Sequence, residues 1–340
     1  MKNKKPKILL TGGAGYIGSF TVRVLKELGF IPIVFDNLET GHREAIGKTK
    51  LYVGDLRFDL KKLDKVFKKE KPEAVIHFAA YIEAGESVEN PQKYFFNNVY
   101  GSLNLLKIML ENRVLKIVFS SSAAVYGNPQ KIPVSENAPK LPTNPYGETK
   151  LMVEKILSWY HKAYGLSVIA LRYFNAAGAS LDGRFGQDYP SPTHLIIRAC
   201  EAALGKRKDF KIFGNNYNTP DGTCIRDYIH VLDLAQAHVL ALKSLTKEKV
   251  GFRAYNVGSG RGYSVLEVVE MVRRISGKNF PAPFGPRRPG DPVRLIASAL
   301  KIKKELGFKP QYSDLATIVK TAWAWHKTYP NGFATATDRV

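Results

Sequence analysis

The stretch KILLTGGAGYIGSF, residues 7 to 20, constrains this chain more than any other. An apolar run that reads as a strand breaks into TGGAGYIG (11 to 18), and apolar residues at helical spacing follow in FTVRVLKELG (20 to 29). Gly12, Gly15 and Gly18 stand three apart. A strand-to-helix turn needs glycine in this pattern for three reasons. The first allows the tight turn, the second lets backbone approach a pyrophosphate, and the third lets helix pack closely on strand. The N–H groups that open the helix then face the phosphates. Asp36, eighteen residues after Gly18, ends the next apolar run, IPIVF (31 to 35). A carboxylate there accepts from both ribose hydroxyls of NAD and repels a 2′-phosphate, which favours NAD over NADP. Arg43 nearby and a capping role for Asp36 are the competing readings. Asp55, in VGDL (53 to 56), is a candidate for the adenine edge and equally a turn aspartate.

Further strand-like runs follow at LYVG (51 to 54), AVIHFAA (74 to 80), KIVFSSS (116 to 122) and SVIALRYF (167 to 174), with helical periodicity between them. Strand and helix alternate through the first half, which predicts a doubly wound α/β Rossmann fold: a parallel sheet with helices on both faces and ligands beyond the carboxyl ends of its strands. Residues 1–178 form the expected NAD-binding domain. Past residue 179, Gly and Pro cluster at 180–192, 215–223 and 280–292, with helices expected around 193–205, 264–276 and 313–328. That predicts a smaller lobe over 179–340 closing on the ligand edge, with 226–260 returning to the main sheet.

With 340 residues, 44% apolar and 24% charged, the chain is an ordinary globular one rather than disordered or fibrous. No eighteen apolar residues run together, so no membrane span is expected, and the reading is cytoplasmic. Cys200 and Cys224 lack CxxC spacing and are expected to be reduced and structural, and no metal site is expected. The net charge of +21 would suit anionic ligands or nucleic acid. Much of it lies in stretches such as KKLDKVFKKEK (61 to 71), where Leu63, Val66 and Phe67 keep helical spacing, so it reads as a solvated helix face.

NPYGETK (144 to 150) sets Tyr146 four places before Lys150, on one face of a helix start. Alone, such a pair reads as a surface lysine along a tyrosine ring. The serine cluster FSSSAAVYG (119 to 127), ending a strand, changes that: Ser122, Tyr146 and Lys150 can meet at the nicotinamide end of a cofactor. Dehydrogenating a secondary alcohol needs a base for the hydroxyl proton. A tyrosine titrates near 10, so it must fall by about three pH units, roughly 4 kcal/mol, to act near neutrality. One positive charge ~4 Å away at an effective dielectric of ~20 supplies about 4 kcal/mol. Lys150 and an oxidised nicotinamide are therefore expected to hold the Tyr146 phenol down.

These segments, with HFAA, GESV, RYFNAAGA, THLI, FGNNY, DGTCIRDYIHV, YNVGSG and RRPGD, make the chain resemble the extended short-chain dehydrogenase/reductase superfamily. Within it the likeness is to the UDP-glucose 4-epimerases, and it spans residues 7 to about 333. The resemblance implies that Gly12, Gly15, Tyr16, Ile17, Asp36, Asn37, Asp55, Leu56, Phe78, Ala79, Asn97, Lys150 and Tyr173 contact NAD, and that Ser122 and Tyr146 act on the sugar 4-hydroxyl. It implies that Asn175, Thr193, His194 (through its backbone), Leu195, Arg226, Arg288 and Asp291 hold the UDP-sugar. From the residues alone, Arg226 reads as a buried partner of Asp227 and Arg288 as an exposed loop charge. His77, at the end of an apolar strand, reads as a hydrogen-bonded core residue.

Related dehydratases and decarboxylases carry an acidic residue just after the serine cluster, where this chain has Ala123 and Ala124. The resemblance thus implies reversible C4 epimerisation of UDP-glucose and UDP-galactose through a 4-keto sugar, with NAD retained and Tyr146 as acid and base. Some relatives carry a lysine shortly after HFAA, where Tyr81, Ile82 and Glu83 stand here. Leu295 occupies a position where tyrosine excludes N-acetylated sugars and smaller residues admit them. UDP-GlcNAc, UDP-glucuronate or a UDP-pentose is the alternative substrate. A Rossmann-like nucleic-acid binder is the alternative class, and the chain shows neither the aromatic-interleaved basic patch nor the recognition helix it requires. Relatives commonly form homodimers through helices flanking the tyrosine helix.

Overall fold

The computed structural model describes residues 5–247, 251–288 and 290–333. The first half alternates as its apolar runs require. Strand β1 (Lys7–Thr11) leads to helix α1 (Tyr16–Glu27), β2 (Ile31–Asp36), β3 (Lys50–Val53), α2 (Leu60–Glu70) and β4 (Ala74–His77). Two short helices, α3 (Ala84–Glu89) and α4 (Pro91–Tyr94), and a π-helical turn at Phe95–Tyr100 precede α5 (Gly101–Glu111), β5 (Lys116–Ser122), α6 (Pro145–Tyr164) and β6 (Ser167–Tyr173). The second half holds β7 (Asn175–Ala177), α7 (Leu195–Ala203), β8 (Ile212–Phe213), β9 (Ile225–His230), α8 (Val231–Lys247) and β10 (Phe252–Val257). It ends with β11 (Gly262–Ser264), α9 (Val265–Ser276), β12 (Phe284–Gly285), β13 (Arg294–Leu295), α10 (Leu300–Leu306) and α11 (Leu315–Thr328).

Seven parallel strands form the main sheet in the order β10-β6-β5-β4-β1-β2-β3. Both faces are covered, and the side chains alternate to serve them. Ile8, Leu10, Val34, Ile76, Val118 and Ile169 point to the layer of α1 and α8. Leu9, Ile33, Val75, Ile117, Phe119 and Val168 point to the layer of α2, α5 and α6. A strand buried on both sides must be apolar at every position, which is why these runs read as continuous rather than alternating.

The order in which strands are added to the sheet reverses between β1 and β4, which run parallel, so the crevice for a ligand opens beyond Thr11 and His77. Of residues 226–260, β10 joins the main sheet beside β6 and α8 packs on that sheet. Ile225–His230 does not join it; β9 pairs with β7, β11 and β13 in a small separate sheet. Helices α7, α9 and α11 build the second lobe's own core around Ala199, Val268, Val269, Ile318 and Val319.

Candidate active site

At the crevice the glycine turn is sterically committed. Gly12 has φ +70°, and a Cβ there would lie 2.5 Å from the Ala79 nitrogen. At Gly18 a Cβ would lie 2.4 Å from the Gly12 oxygen, so only glycine lets α1 seat this closely on the turn. Gly15 is the N-cap of α1 and provides no side chain to accept from the first-turn N–H groups. Tyr16 ties the turn to the segment that follows β7 by donating 2.6 Å to the Gly178 carbonyl.

Asp36 is buried at the end of β2 and accepts from the Ala14 and Leu38 N–H groups, each at 2.9 Å. Burial pushes its carboxyl above the usual carboxylate range, and those N–H groups only partly oppose the rise. Arg43 is turned away, donating to the Thr49 carbonyl at 2.7 Å. Asp55 is gripped by Arg57 (2.6 Å) and Asn37 (2.9 Å). Desolvation raises the Asp55 carboxyl, but the Arg57 and Asn37 contacts outweigh it and hold it at about 2. Tyr81 spans the rim by donating to Glu39 at 2.7 Å. Ile17, Leu56, Phe78, Ala79, Asn97 and Tyr173 line the same cleft, together with Gly12, Gly15, Tyr16, Asp36, Asn37 and Asp55.

Ser122 and Tyr146 line the inner end of that cleft. Their placement follows from local sequence. Asn144 caps α6 by accepting from the Gly147 N–H at 2.9 Å, and Pro145 occupies the first helical position. The Tyr146 ring thus emerges in the first turn, with Lys150 one turn below it. The Lys150 Nζ donates 2.8 Å to the Ser120 carbonyl and lies 5.9 Å from the centre of the Tyr146 ring. Burial lowers Lys150 to about 7, against a smaller opposing pull from Glu154.

The expected depression of Tyr146 is not produced by the protein's own groups. Burial drives the phenol well above its ordinary value, Tyr173 adds to this, and the hydrogen bond with Ser122 only partly opposes it. Desolvation in this closed pocket outweighs a lysine that is itself desolvated.

Behind Lys150 lies a buried network that the sequence did not suggest. Glu154, one turn further along α6, accepts from Ser121 Oγ at 2.6 Å and is held in bidentate fashion by Arg172 at 2.6 and 2.9 Å. His77 is structural. It is buried between Thr11 Oγ1 (2.7 Å) and Ser102 Oγ (2.9 Å), and desolvation lowers it to about 3.

A second cavity adjoins the first, and Asn175, Ala176, Gln187 and His194 line both. Thr193, Leu195, Arg226, Arg288 and Asp291 line the second. Arg226 donates to the Pro292 carbonyl at 2.7 Å and faces Asp291 at 3.4 Å. Its sequence neighbour Asp227 instead accepts from Ser259, Gly260 and Ala297, so the Arg226–Asp227 pair does not form. Arg288 is an exposed loop residue whose guanidinium sits 4.1 Å from the centre of the Phe213 ring. Asn175 is anchored by donating to the Asp227 carbonyl at 2.8 Å. His194 lines both cavities, and its ring lies 3.4 Å from the Gln187 amide and stacks on Tyr189. Gln187, Tyr189 and Glu83 are lining residues that the motifs did not reveal. Leu295 packs with Ala123, Phe174 and Ala297.

An open helix N-terminus for a pyrophosphate, a buried carboxylate at the second strand for a ribose, and a Ser–Tyr–Lys group beyond β5 together fit a dinucleotide. They define a Rossmann protein of the short-chain dehydrogenase type. Comparison narrows the class: residues 8–258 match the sequence model of the NAD dependent epimerase/dehydratase family, and the chain belongs to that family. It is 52% identical to a UDP-glucose 4-epimerase of Halalkalibacterium halodurans over 96% of this chain and 98% of that one. The crystal structure of UDP-glucose 4-epimerase from Bifidobacterium longum in complex with NAD+ and UDP superposes with a TM-score of 0.91 at 40% identity, covering 96% of this chain and 100% of that one. The UDP-Glc/GlcNAc 4-epimerase of Campylobacter jejuni superposes at 0.83 with 44% identity, covering 95% and 99%.

Proposed function

We infer that this chain interconverts UDP-glucose and UDP-galactose by reversible oxidation at C4, with NAD as a retained cofactor. The observation that carries this reading is Ser122 and Tyr146 in the wall of a cleft suited to a dinucleotide, with Lys150 buried behind them, beside an adjoining cavity walled by Arg226, Arg288 and Asp291. When bound, NAD takes the C4 hydride and returns it, and its oxidised form brings a positive charge towards Tyr146. Tyr146 Oη receives the 4-hydroxyl proton as the 4-keto sugar forms and gives it back on reduction. Its elevated proton affinity suits the acid half of the cycle, and the base half depends on the cations beside it. Ser122 orients the same oxygen. Lys150 supplies one of those cations, held in place by the Ser120 carbonyl.

Arg226 and Arg288 suit the diphosphate and Asp291 a ribose hydroxyl, so the nucleotide stays fixed while the keto-sugar turns about its link to the phosphate. Incubating the purified protein with UDP-galactose and no added NAD is expected to yield UDP-glucose; no conversion refutes this reading. The same assay with UDP-GlcNAc reads the wider specificity left open by Leu295. Cytoplasmic placement accords with the two free thiols, Cys200 and Cys224. No described helix is long and apolar enough to cross a membrane. The proposed assembly is a homodimer through the face made by α6 and the π-helical turn that leads into α5, where Phe96 stacks on Tyr100 and Trp159 is 66% exposed. Light scattering coupled to gel filtration tests that assembly.

A further inference from the structure

The cleft contains one acidic side chain that the mechanism does not use. Glu83 lies just ahead of α3 and lines the cleft with Ser122 and Tyr146. Its carboxylate accepts from the hydroxyl of Thr193, 110 residues away in sequence and part of the lining of the adjoining cavity. Burial is the main cause of the raised Tyr146 and Tyr189 phenols and of the lowered His194 imidazole, and the Glu83 charge reaches all three rings, adding to the first two shifts and opposing the third. The neighbouring Glu86 is neutralised by Lys93 at 2.5 Å. Among the described residues no cation lies within ion-pair distance of Glu83, so its charge faces the cavity uncompensated. A carboxylate in this setting accepts from neutral hydroxyls and repels a second carboxylate.

We propose that Glu83 is a specificity-determining residue that restricts the site to sugars uncharged at C6, excluding UDP-hexuronates. The proposal rests on the epimerase reading and sharpens its substrate class. The chemistry of turnover makes the exclusion hard to evade. To present both faces of C4, the ring rotates about the axis from its phosphate link, which exchanges the flank bearing C2 and C3 with the flank bearing C5 and C6. A fixed anion beside either flank therefore meets the C6 substituent in one of the two presentations. A hexose offers a hydroxyl there; a hexuronate offers a charge.

The test compares UDP-galactose with UDP-glucuronate in the NAD-containing protein, by epimerisation and by equilibrium binding in competition with UDP. The wild type is expected to favour UDP-galactose by at least about 100-fold in kcat/KM and to bind UDP-glucuronate at least about tenfold more weakly than UDP-glucose. In E83Q the galactose-to-glucuronate ratio of kcat/KM is expected to fall by at least about tenfold, with a matching fall in the ratio of the two dissociation constants. Equal use of UDP-glucuronate by the wild type, or unchanged ratios in a folded E83Q, overturns the proposal. The wild-type arm decides even if the variant fails to fold. Absence of turnover on UDP-galactose would instead refute the epimerase reading, while the binding ratios still report on Glu83.

Discussion

Lys150→Met offers a sharp test because the structure makes stability and activity move in opposite directions. The ammonium is 3% exposed, and burial lowers its pKa from 10.5 to about 7. A fall of that size corresponds to roughly 5 kcal/mol of differential interaction, of which about 4 kcal/mol is felt at pH 7. The sign follows from proton binding. Below about pH 7 both folded and unfolded chains hold the proton, and the full penalty weighs on the fold. Between about 7 and 10.5 the unfolded chain binds more protons than the folded one, so the wild type gains stability as pH rises, and at pH 9.5 only ~1.5 kcal/mol of penalty remains. Methionine retains the apolar stem and removes the charge, but gives up the 2.8 Å bond to the Ser120 carbonyl, worth ~1–3 kcal/mol. The variant is therefore expected to be ~1–3 kcal/mol more stable than wild type at pH 7, and equal or less stable at pH 9.5. Turnover of UDP-galactose is expected to drop by about 100-fold or more, since a cation worth up to ~4 kcal/mol to the phenolate is gone. Urea unfolding of both proteins at the two pH values, with NAD at saturation, reads the change in the gap rather than its offset. A variant less stable by the same amount at both pH values would refute the picture of Lys150 as a desolvated ammonium.

Tyr146→Phe should leave NAD content, read by absorbance of the purified protein, unchanged while lowering kcat by about 10²–10⁴-fold. Retained turnover would remove Tyr146 from proton transfer. Gly12→Ala must push a methyl group to within 2.5 Å of the Ala79 nitrogen at φ +70°. It is expected to lose ~2–4 kcal/mol in urea unfolding and most of its bound NAD. Asp227→Asn puts an amide where a buried carboxylate accepts from Ser259, Gly260 and Ala297. The cost is ~2–4 kcal/mol, measurable by the same unfolding assay.

What the sequence disclosed and what it hid divide along physical lines. The main sheet was legible because its inner strands are buried on both faces and so read as near-continuous apolar runs, and because Gly12 and Gly18 mark contacts that tolerate no Cβ. The start of α6 was legible because its cap is local: Asn144 accepts from the Gly147 N–H three residues on, and Pro145 at the first helical position has no N–H to leave unpaired. Long-range encounters were not legible. Glu83 meets Thr193 across 110 residues, and Gln187 and Tyr189 come from a loop whose path no periodicity fixes. The upward push of burial on the Tyr146 phenol was not legible for a related reason: charges can be counted in a sequence, whereas the enclosure that opposes them is made by distant parts of the chain.

Arg226 and Asp227 show how a local rule could have corrected a local guess. Adjacent residues within a strand point to opposite faces, so once Ile225–His230 is a strand the two side chains cannot pair. The strand sends Arg226 to the cavity wall, where it meets Asp291, and Asp227 inward to bind the Ser259–Gly260 turn and Ala297. One strand thus fixes a cation beside the proposed diphosphate site and, through its neighbour, ties down both the Ser259–Gly260 turn and Ala297, two residues beyond β13, the strand that carries Leu295. Any change at Asp227 should therefore weaken nucleotide binding as well as the fold, because the loop bearing Arg288 and Asp291 leads directly into that strand.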